Sequence, residues 1–593
     1  MCGIFGYYSF LGTEISKTQV QDMGNIISYR GPDGQGIYFG DGVALGNQRL
    51  AIIDIASGNQ PFYSDDQSVV VVQNGEIFNH IELAKDLEGT EFECKTHSDT
   101  EVILRLYLKY GQDFIYMLNG MFAISIFDKN LGKVFLYRDR VGEKPLYFFQ
   151  SNEMLIFGSE IKSILAAGVP RKLDLKALDT YLSYNYVVPP FTLFQDIKHV
   201  MPGTYLEIDK SGIVTHDWWQ ISDNVDKNVS ESDWVEKFNT TLDDAVRIRL
   251  RADVPFGAFL SGGVDSSTVV GLMSKHVKTP VQTFSIGFDD PKYDESPYAA
   301  QAASRFSTDH YCEIVKPNLL SLWDQAVYHC DQPHGDVSFM PTLKVAQLAS
   351  KHVKMVLTGD GADELFGGYD KYKTLLSYEP MSDEEFEKRY IESVTLFNKS
   401  TKDYLYKDTI KEELKNFSSS EIFINLLNKH EGFDRINKVL FVDTSLLLSG
   451  NNLVKPDRMG MAVSIENRAP FLDFRVIELA FSMPGDIKIK ENETKYIYKK
   501  AVEGLIGTEL AYRKKQMFTV PIGEWLKTDL KNMVCELLLS ETFKNRNLFD
   551  SQFVSKMYAE HCAGSANYTR EIRALMSLEI WFRQFMPDYR YGF

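Results

Sequence analysis

A cysteine directly follows the first methionine, in the opening stretch MCGIFGYY. Three interpretations of Cys2 are open: a small apolar residue in a buried first strand, part of a secretory signal, or a reactive N-terminus. In the third case, removal of Met1 leaves one residue with both a thiol nucleophile and a free α-amine as its base. We do not expect a signal, because a basic segment is missing and Glu14 and Lys17 interrupt the apolar stretch. The strand and the reactive terminus are compatible with each other.

A second group of residues that could do chemistry is the loop SGGVDSS at residues 261–267, which follows an apolar stretch and precedes a helical pattern. Its two glycines allow a tight turn, and a helix N-terminus offers unpaired N–H groups to an anion such as phosphate. Asp265 inside such a loop indicates a bridging Mg²⁺. The alternative is an ordinary turn in which a serine caps the helix. The loop is not a Walker sequence, which requires Lys before Ser or Thr.

A third group places three carboxylates, Asp360, Asp363 and Glu364, within five residues of the loop TGDGADE. Like charges this close are costly unless a cation neutralises them or one of them stays protonated. A solvated acidic turn is the alternative, but this loop follows an apolar strand pattern. If the two loops lie at neighbouring strand ends, they could hold a nucleotide triphosphate and its metal between them.

The elements that must position these residues divide the chain into two parts. The first 200 residues read as short strands with Gly, Asn and Asp between them, interrupted by amphipathic helical patterns at 18–30 and 99–111. This pattern favours a layered α+β sandwich. A polar stretch follows, and we place a linker at 216–233 between domains at 2–215 and 234–593.

Beyond the linker, apolar strands alternate with helices, as in the segments 255–276, 281–288 and 352–369. This alternation is typical of parallel βαβ units, whose functional residues lie at the carboxyl ends of the strands. The chain from about 370 onward reads as mostly helical. The sequence therefore predicts an α/β domain with a parallel sheet and a helical C-terminal part.

Composition limits the function further. The chain has 593 residues, which is too long for one core, and its net charge of -17 argues against a general nucleic-acid surface. The six cysteines are far apart and include no C-x-x-C pair, so neither a disulfide framework nor a zinc site is expected. No stretch approaches 18 uncharged apolar residues. We expect a soluble cytoplasmic protein that binds neither nucleic acid nor membrane.

Several motifs together resemble a known family. SGGVDSS is similar to the pyrophosphate-binding loop of the ATP pyrophosphatase family, and LTGDGADELFGGY to the acidic loop of its glutamine-hydrolysing asparagine synthetases. The N-terminal half resembles, in order and spacing, the N-terminal-nucleophile (Ntn) class II glutaminase of those enzymes. The matching N-terminal motifs are MCGIFGYY, RGPDG, NQRLAIID, NGEIFNH, HSDTEVIL, GMFAISIFD and RDRVGEKPLYF, and KPDRMGMAVSIENRAPFLD matches a later synthetase motif.

The resemblance implies a fold and a set of glutaminase residues. The fold is an Ntn-type four-layer α/β/β/α sandwich, followed by an adenine-nucleotide α-hydrolase-like parallel-sheet domain with a helical C-terminal part. Cys2 would attack the glutamine carboxamide while its α-amine accepts the proton, and Asn74 and Gly75 would stabilise the oxyanion. The positions that match the glutamine-binding residues are Arg49, Asn74, Gly75, Glu76 and Asp99.

For the synthetase domain, the resemblance implies that ATP activates a carboxylate as an acyl-adenylate, which ammonia then attacks. Asp265 and Asp363 would bind Mg²⁺, and Asp360 would deprotonate ammonia or hold its ammonium. Asp360 stands where many family members carry the longer glutamate. The positions implied for ATP and pyrophosphate are Leu260, Ser261, Gly262, Gly263, Asp265, Ser266, Ser267, Ile286, Thr358, Gly359 and Lys495.

The activity implied is that of a glutamine-dependent asparagine synthetase with ATP as substrate and Mg²⁺ as cofactor. A second hypothesis keeps the chemistry but changes the acceptor to a sugar uronic acid or a peptide carboxylate, because DQPHGDVSFMPT (331–342) resembles a broad bacterial-type branch. A third is a non-catalytic scaffold, against which the joint presence of Cys2, Asn74, Asp265 and Asp363 argues. An internal ammonia tunnel and a homodimer are also expected from the resemblance.

Overall fold

The computed structural model shows an N-terminal domain of antiparallel sheets and a C-terminal domain with a parallel sheet and many helices. The residues that the structure describes are 2–292, 294–315, 321–377, 380–514 and 522–592. The predicted removal of Met1 concerns a residue outside these ranges. Within them, no helix is both long enough and apolar enough to cross a membrane.

Twelve strands of the N-terminal domain form two antiparallel sheets of six strands each. In chain order they are β1 (Cys2–Ser9), β2 (Gly34–Gly40), β3 (Val43–Arg49), β4 (Phe62–Tyr63), β5 (Val69–Ile77), β6 (Gly120–Asp128), β7 (Lys133–Arg138), β8 (Tyr147–Gln150), β9 (Met154–Gly158), β10 (Ile197–His199), β11 (Thr204–Asp209) and β12 (Gly212–Asp217). The first sheet has the spatial order β10-β8-β9-β1-β3-β2, and the second has β12-β11-β7-β6-β5-β4.

Helices cover the outer faces of both sheets. They are α1 (Lys17–Asn25), α2 (His80–Leu87), α3 (Asp99–Tyr110), α4 (Phe114–Met117), α5 (Ile161–Ala166) and α6 (Leu175–Tyr184). Because successive strand residues point to opposite faces, Ile4 of β1 lies in a core between the sheets, whereas Phe5 packs outward with α1 and α5. Ile124 of β6 packs with α2 and α3 on the other side. The expected α/β/β/α sandwich is therefore confirmed.

The C-terminal domain is built on a parallel sheet of five strands in the order β15-β14-β13-β16-β17. Its elements up to that sheet's fourth strand are α7 (Glu231–Arg249), β13 (Phe256–Phe259), α8 (Val264–His276), β14 (Gln282–Phe288), α9 (Ser296–Phe306), β15 (Asp309–Val315), α10 (Trp323–Cys330), α11 (Phe339–Ala349) and β16 (Met355–Leu357). The parallel order confirms the predicted βαβ pattern, and the two candidate loops follow the neighbouring strands β13 and β16.

The rest of the chain is mainly helical, as expected. It contains α12 (Ala362–Phe366), α13 (Asp370–Leu376), α14 (Asp383–Val394), α15 (Lys399–Leu405), α16 (Asp408–Leu414), α17 (Ser420–Leu427), α18 (Arg435–Val442), α19 (Val454–Met461), β17 (Glu466–Arg468), α20 (Phe474–Ser482), β18 (Ile489–Lys490), β19 (Glu493–Thr494), α21 (Tyr496–Ile506), α22 (Thr508–Tyr512), α23 (Ile522–Trp525), α24 (Lys531–Leu538), α25 (Glu541–Asn545), α26 (Ser551–Ala563) and α27 (Thr569–Phe585). A π-helix, Asp443–Asn452, joins α18 to α19.

Local signals explain where the two predicted N-terminal helices begin and end. The helical pattern at 18–30 forms α1 with a capping box at Ser16, and a separate 3-10 turn, Ser28–Arg30, follows it. The pattern at 99–111 forms α3, which Ser98 caps and which ends at Gly111 with a φ of 57°. In the stretch predicted as a linker, β12 ends at Asp217 and α7 begins at Glu231.

The two domains meet at a cluster of buried charges, which we call the interdomain charge cluster. Arg30 binds both carboxylate oxygens of Asp457, at 2.9 and 3.1 Å, and also binds Glu160 at 2.9 Å. Arg458 lies 2.8 Å from Glu160. Its seven members, four cations and three anions, are Arg30, Lys144, Glu160, Lys162, Asp331, Asp457 and Arg458. Glu160 of one domain thus joins cations from both.

We predict that Asp457→Asn destabilises the protein, because it leaves Arg30 buried with less opposing charge. Removing one partner of a buried ion pair costs about 3–5 kcal/mol, which would lower the midpoint of chemical denaturation. Asp408→Asn is the matched control, since Asp408 pairs with Lys411 while its side chain is 98% exposed; it should leave the midpoint unchanged. Equal midpoints for the two variants would contradict a structural role for the cluster.

Candidate active sites

The first candidate site, the N-terminal site, is formed where β1 faces β5 between the two sheets. Cys2 is buried at the start of β1, and its backbone N–H donates to Oδ1 of Asn74 at 3.0 Å. Its carbonyl accepts a hydrogen bond from Nε of Arg30 at 3.1 Å. Burial raises the pKa of the Cys2 thiol. The structure thus holds Cys2 rigidly beside Asn74, and the thiol requires a base to become nucleophilic.

Gly75 follows Asn74 in a conformation that only glycine adopts easily. Its φ is 148°, and an added Cβ would lie 2.0 Å from the carbonyl oxygen of Met121 in the neighbouring strand. Nδ2 of Asn74 faces the hydroxyl of Ser159 at 3.4 Å. The two predicted oxyanion donors therefore lie in consecutive positions of one rigid strand next to Cys2.

The predicted glutamine-binding residues surround Cys2, but two of them are already occupied by protein groups. Arg49 is the strand partner of Cys2 and donates to the carbonyl of Asp54 at 2.6 Å and to Oδ1 of Asn59 at 2.8 Å. Asp99 accepts a hydrogen bond from the backbone N–H of Ile77 at 2.9 Å. Arg49 thus binds the loop that follows β3, and Asp99 binds the end of β5.

Glu76 is the most perturbed group of the N-terminal site. Burial raises its pKa well above the ordinary value, and the neighbouring carboxylates Glu466 and Asp99 raise it further. The opposing charge comes from Arg468, whose guanidinium lies 3.7 Å from the carboxylate of Glu76. Because Arg468 and Glu466 belong to β17 of the C-terminal domain, the N-terminal site is completed by residues of both domains.

The second candidate site is a cavity of about 1420 Å³ at the carboxyl ends of the parallel strands. It is lined by most of the residues predicted for nucleotide and metal: Leu260, Ser261, Gly263, Asp265, Ser266, Ile286, Thr358, Gly359, Asp360, Asp363 and Lys495. Gly262 and Ser267 are not among the lining residues. Gly262 packs on the backbone of Tyr298, and Ser267 is fully buried behind the loop.

The loop at 261–267 is not a serine-capped turn. The N-cap of α8 is Gly263, which has no side chain to offer, and the hydroxyl of Ser266 instead accepts a hydrogen bond from the backbone N–H of Ser261 at 3.2 Å. A helix N-terminus without a side-chain cap leaves N–H groups available to a ligand. The serine cap of the alternative interpretation is therefore absent, and the geometry is compatible with an anion at this loop.

Lys495 occupies the position between the two carboxylates predicted to bind metal. Its Nζ lies 2.8 Å from both carboxylate oxygens of Asp265 and 2.7 Å from Asp363. Burial alone would lower the pKa of Lys495, but the two carboxylates outweigh it and raise this pKa. The described residues include no group of three or more His, Cys, Asp or Glu side chains arranged for a metal. Two carboxylates fit Mg²⁺, which usually takes its other ligands from phosphate and water.

Asp360 lies in the same cavity and accepts a hydrogen bond from the hydroxyl of Thr358 at 2.7 Å. Burial raises the pKa of Asp360, while the nearby charge of Lys455 and the hydrogen bond from Thr358 oppose that shift. The backbone N–H of Thr358 donates to the carbonyl of Arg468 at 2.9 Å. Strand β17 therefore contacts Glu76 with a side chain and Thr358 with its backbone, which connects the two sites directly.

Sequence reasoning missed most basic residues of the cavity wall, which are Lys371, Lys373, Lys455, Lys499, Arg513, Lys514, Arg570 and Arg573. Arg513 donates to the carbonyl of Gly262 at 2.9 Å and pairs with Glu295 at 2.7 Å, so it supports the loop at 261–267 from outside. Lys455 begins the motif KPDRMGM, whose presence could have drawn attention to it. No pattern marks Arg573, which reaches the cavity from α27.

Comparison with known proteins gives two matches that divide the chain as its fold does. The family described as asparagine synthase matches residues 237–583, and the glutamine amidotransferase domain matches residues 1–219. Among curated relatives, asparagine synthetase [glutamine-hydrolyzing] 1 of Bacillus subtilis is 32% identical over 99% of this chain and 98% of its own length. Synthetase 3 of that organism is 31% identical over 89% and 90%. Putative asparagine synthetase 2 of Methanocaldococcus jannaschii is 39% identical over 62% and 76%.

We predict that Lys495→Met makes the stability of the protein depend on Mg²⁺, because Asp265 and Asp363 lose the ammonium group that neutralises them. Two half-buried carboxylates then face each other without a counter-charge, which should cost up to about 3 kcal/mol of stability. Millimolar Mg²⁺ should raise the thermal midpoint of this variant more than that of the unsubstituted protein, because the ion replaces the lost ammonium. Lys488→Met removes another buried lysine, which binds Asn437, and should show no such response. A Lys495 variant indifferent to Mg²⁺ would contradict the metal assignment.

Proposed function

The chain belongs to the family of glutamine-hydrolysing asparagine synthetases, and from that premise we propose how its two sites divide the reaction. The enzyme is an ATP-dependent ligase that transfers ammonia from glutamine to the side-chain carboxylate of aspartate. Its products are asparagine, AMP, pyrophosphate and glutamate. One observation supports this division most directly: strand β17 contacts both sites. Its Arg468 lies beside Glu76 with its side chain and accepts a hydrogen bond from Thr358 with its carbonyl.

In the first half-reaction, the thiol of Cys2 attacks the carboxamide carbon of glutamine. Once Met1 is removed, the α-amine of Cys2 accepts the thiol proton and passes it to the leaving ammonia. The nitrogen of Cys2 lies 3.0 Å from Oδ1 of Asn74, a contact that would hold the amine in place. Asn74 and the N–H of Gly75 would stabilise the oxyanion. Water then cleaves the thioester and releases glutamate.

Recognition of glutamine would use the charged groups around Cys2. Arg49 would bind the α-carboxylate, and Glu76 and Asp99 would bind the α-ammonium group. The positive charge of Arg468 lowers the pKa of Glu76 and so favours the ionised form of this carboxylate. Because Arg468 belongs to the synthetase domain, the affinity of the N-terminal site for glutamine depends on the contact between the domains.

In the second half-reaction, an oxygen of the aspartate side-chain carboxylate attacks the α-phosphorus of ATP, and the bond to pyrophosphate breaks. The serine hydroxyls of the loop at 261–267 and the ammonium of Lys495 would hold the phosphates. We propose that Asp265 and Asp363 hold Mg²⁺, which supplies positive charge to the triphosphate. Ammonia then attacks the acyl carbon, the bond to AMP breaks, and Asp360 accepts the proton that the nitrogen loses.

The two half-reactions take place at separate sites, so ammonia must move from one site to the other. Ammonia that enters neutral water is mostly protonated and is then no longer a nucleophile. We propose that it travels inside the protein, past β17 at the interface between the domains. The buried charges around this interface keep the domains closely packed. We further propose that the enzyme is cytoplasmic and takes only small-molecule substrates. We also propose that it is a homodimer, and size-exclusion chromatography with light scattering would test this oligomeric state.

Cys2→Ala should abolish the formation of asparagine from glutamine and leave its formation from ammonium chloride intact. The reason is that only the first half-reaction uses the thiol, while the parallel-sheet domain accepts ammonia directly. Asparagine, glutamate and AMP would be measured by liquid chromatography. Cys562→Ala is the control, because Cys562 is exposed, and both activities should persist in it. Loss of both activities in a folded Cys2 variant would contradict the division of labour.

Asp360→Asn should preserve glutamine hydrolysis and slow the formation of asparagine by about 100-fold or more, since general bases contribute that much. Burial raises the pKa of Asp360, and only the ionised form accepts a proton. The unsubstituted enzyme should therefore form asparagine faster than Asp360→Asn at alkaline pH. This difference in rate should disappear as the pH falls through the raised pKa of Asp360. Asp360→Glu should retain most of the activity. A rate ratio independent of pH would contradict the role as base.

Replacing aspartate by other acceptors tests the remaining alternative. Pyrophosphate release from ATP should depend on aspartate and should not respond to a uronic acid or to a peptide that carries a free carboxylate. Release with one of those acceptors and none with aspartate would favour the second hypothesis.

A further inference from the structure

Arg573 is a half-buried basic residue of the cavity wall. Arg573 lines the cavity from α27, and no hydrogen bond or ion pair reaches its guanidinium from the residues that the structure describes. Its Nε is completely buried, and burial lowers the pKa of Arg573. An unpaired buried charge is costly, so the position of this side chain calls for an anion in the cavity.

An acidic and a basic group both act on Arg573, since Asp336 attracts its guanidinium and Arg570 repels it. Asp336 carries the opposite charge that partly compensates Arg573. Its carboxylate accepts a hydrogen bond from the hydroxyl of Ser338 at 2.7 Å, and Nζ of Lys455 donates to the same hydroxyl at 3.1 Å. The same cavity is lined by Arg573, Asp336, Ser338 and Lys455. These four form one cluster, which we call the basic–acidic cluster.

This cluster adjoins the reaction centre. Lys455 is connected to Asp336 through the hydroxyl of Ser338, and it lines the same cavity as Asp360, whose pKa its charge lowers. None of the cluster's members belongs to the loop at 261–267, to the pair Asp265 and Asp363, or to Lys495. The cluster therefore offers charges to a part of the cavity that the proposed nucleotide site does not use, in the same cavity as Asp360, the proposed base for the attacking nitrogen.

We propose that the basic–acidic cluster is the acceptor subsite and that it selects an amino acid with a second carboxylate. Arg573 binds the α-carboxylate, which is not activated, and Asp336 binds the α-ammonium group. Lys455 then faces the side-chain carboxylate near Asp360. The assignment rests on the proposed function, because it identifies which groups of the acceptor the synthetase site recognises.

The charges of the cluster match those of an α-amino acid. A guanidinium binds a carboxylate through two parallel hydrogen bonds, and an adjacent carboxylate suits an ammonium group. A uronic acid would leave Asp336 facing hydroxyl groups, and a peptide side chain would present neither a free α-carboxylate nor a free α-ammonium. The cluster therefore favours free aspartate over both alternative acceptors.

The test compares kinetic constants of the full-length enzyme with ammonium chloride as nitrogen source, measured by pyrophosphate release. Arg573→Gln should raise the KM for aspartate about 10- to 100-fold, as expected for loss of a hydrogen bond to a charged group. The KM for ATP and the rate of glutamine hydrolysis should stay the same. Arg573→Lys should recover part of the loss.

A second substitution separates the two recognised groups. Succinate keeps both carboxylates of aspartate but lacks the ammonium group, and β-alanine lacks the α-carboxylate. Arg573→Gln should weaken inhibition by succinate, whereas Asp336→Asn should raise the KM for aspartate and leave succinate inhibition unchanged. Inhibition by β-alanine should be the same in Arg573→Gln and in the unsubstituted enzyme.

Arg583→Gln is the matched control, because Arg583 lies on the same helix and pairs with Glu536 outside the cavity. It should leave every constant unchanged. A structural role for Arg573 predicts a lower thermal midpoint for Arg573→Gln, whereas the proposal predicts a midpoint equal to or above that of the unsubstituted protein.

The outcomes distinguish the proposal from its premise. If the unsubstituted enzyme releases no pyrophosphate with aspartate, the proposed function fails and the subsite with it. If that enzyme is active but Arg573→Gln keeps its KM for aspartate, only the subsite is wrong. A rise in the KM for ATP that equals the rise for aspartate would assign Arg573 to the nucleotide instead and would also overturn the proposal.

Discussion

The interdomain charge cluster is the constraint on which both sites depend. Seven charged side chains, four cations and three anions, lie buried between the domains, and their ion pairs join residues of one domain to residues of the other. Any displacement would leave a buried charge without its partner, which costs several times more than a surface pair contributes. Arg30 links this cluster to chemistry directly, because the same guanidinium that binds Asp457 also donates to the carbonyl of Cys2.

With the domains fixed, residues of one domain can complete the site of the other. Glu466 and Arg468 set the charge on Glu76, and the carbonyl of Arg468 holds Thr358, which donates to Asp360. Both sites contain buried carboxylates with raised pKa values, an arrangement that is typical of functional sites. Buried carboxylates of this kind destabilise the folded protein. The apolar cores of the sandwich and of the helical region must offset that cost.

The sequence was informative where local chemistry decides the structure. The strand and helix patterns, the glycine loops and the order of motifs were enough to predict the sandwich, the parallel sheet and eleven of the residues that line the cavity. Contacts between distant segments could not be predicted, since Arg30 and Asp457 are 427 residues apart. For the same reason the sequence did not reveal that Arg573 enters the cavity, that Gly262 and Ser267 lie behind its wall, or that Gly263 caps α8 in place of a serine.

The central claim is that the packed interface carries ammonia from one site to the other without release to solvent. The most direct test supplies glutamine labelled with ¹⁵N at its amide, together with aspartate, ATP and an equal concentration of unlabelled ammonium chloride. Mass spectrometry then gives the fraction of asparagine that carries the label. Internal transfer predicts asparagine that is labelled almost completely. Asparagine with a label diluted to the isotopic ratio of the ammonium in solution would contradict the account.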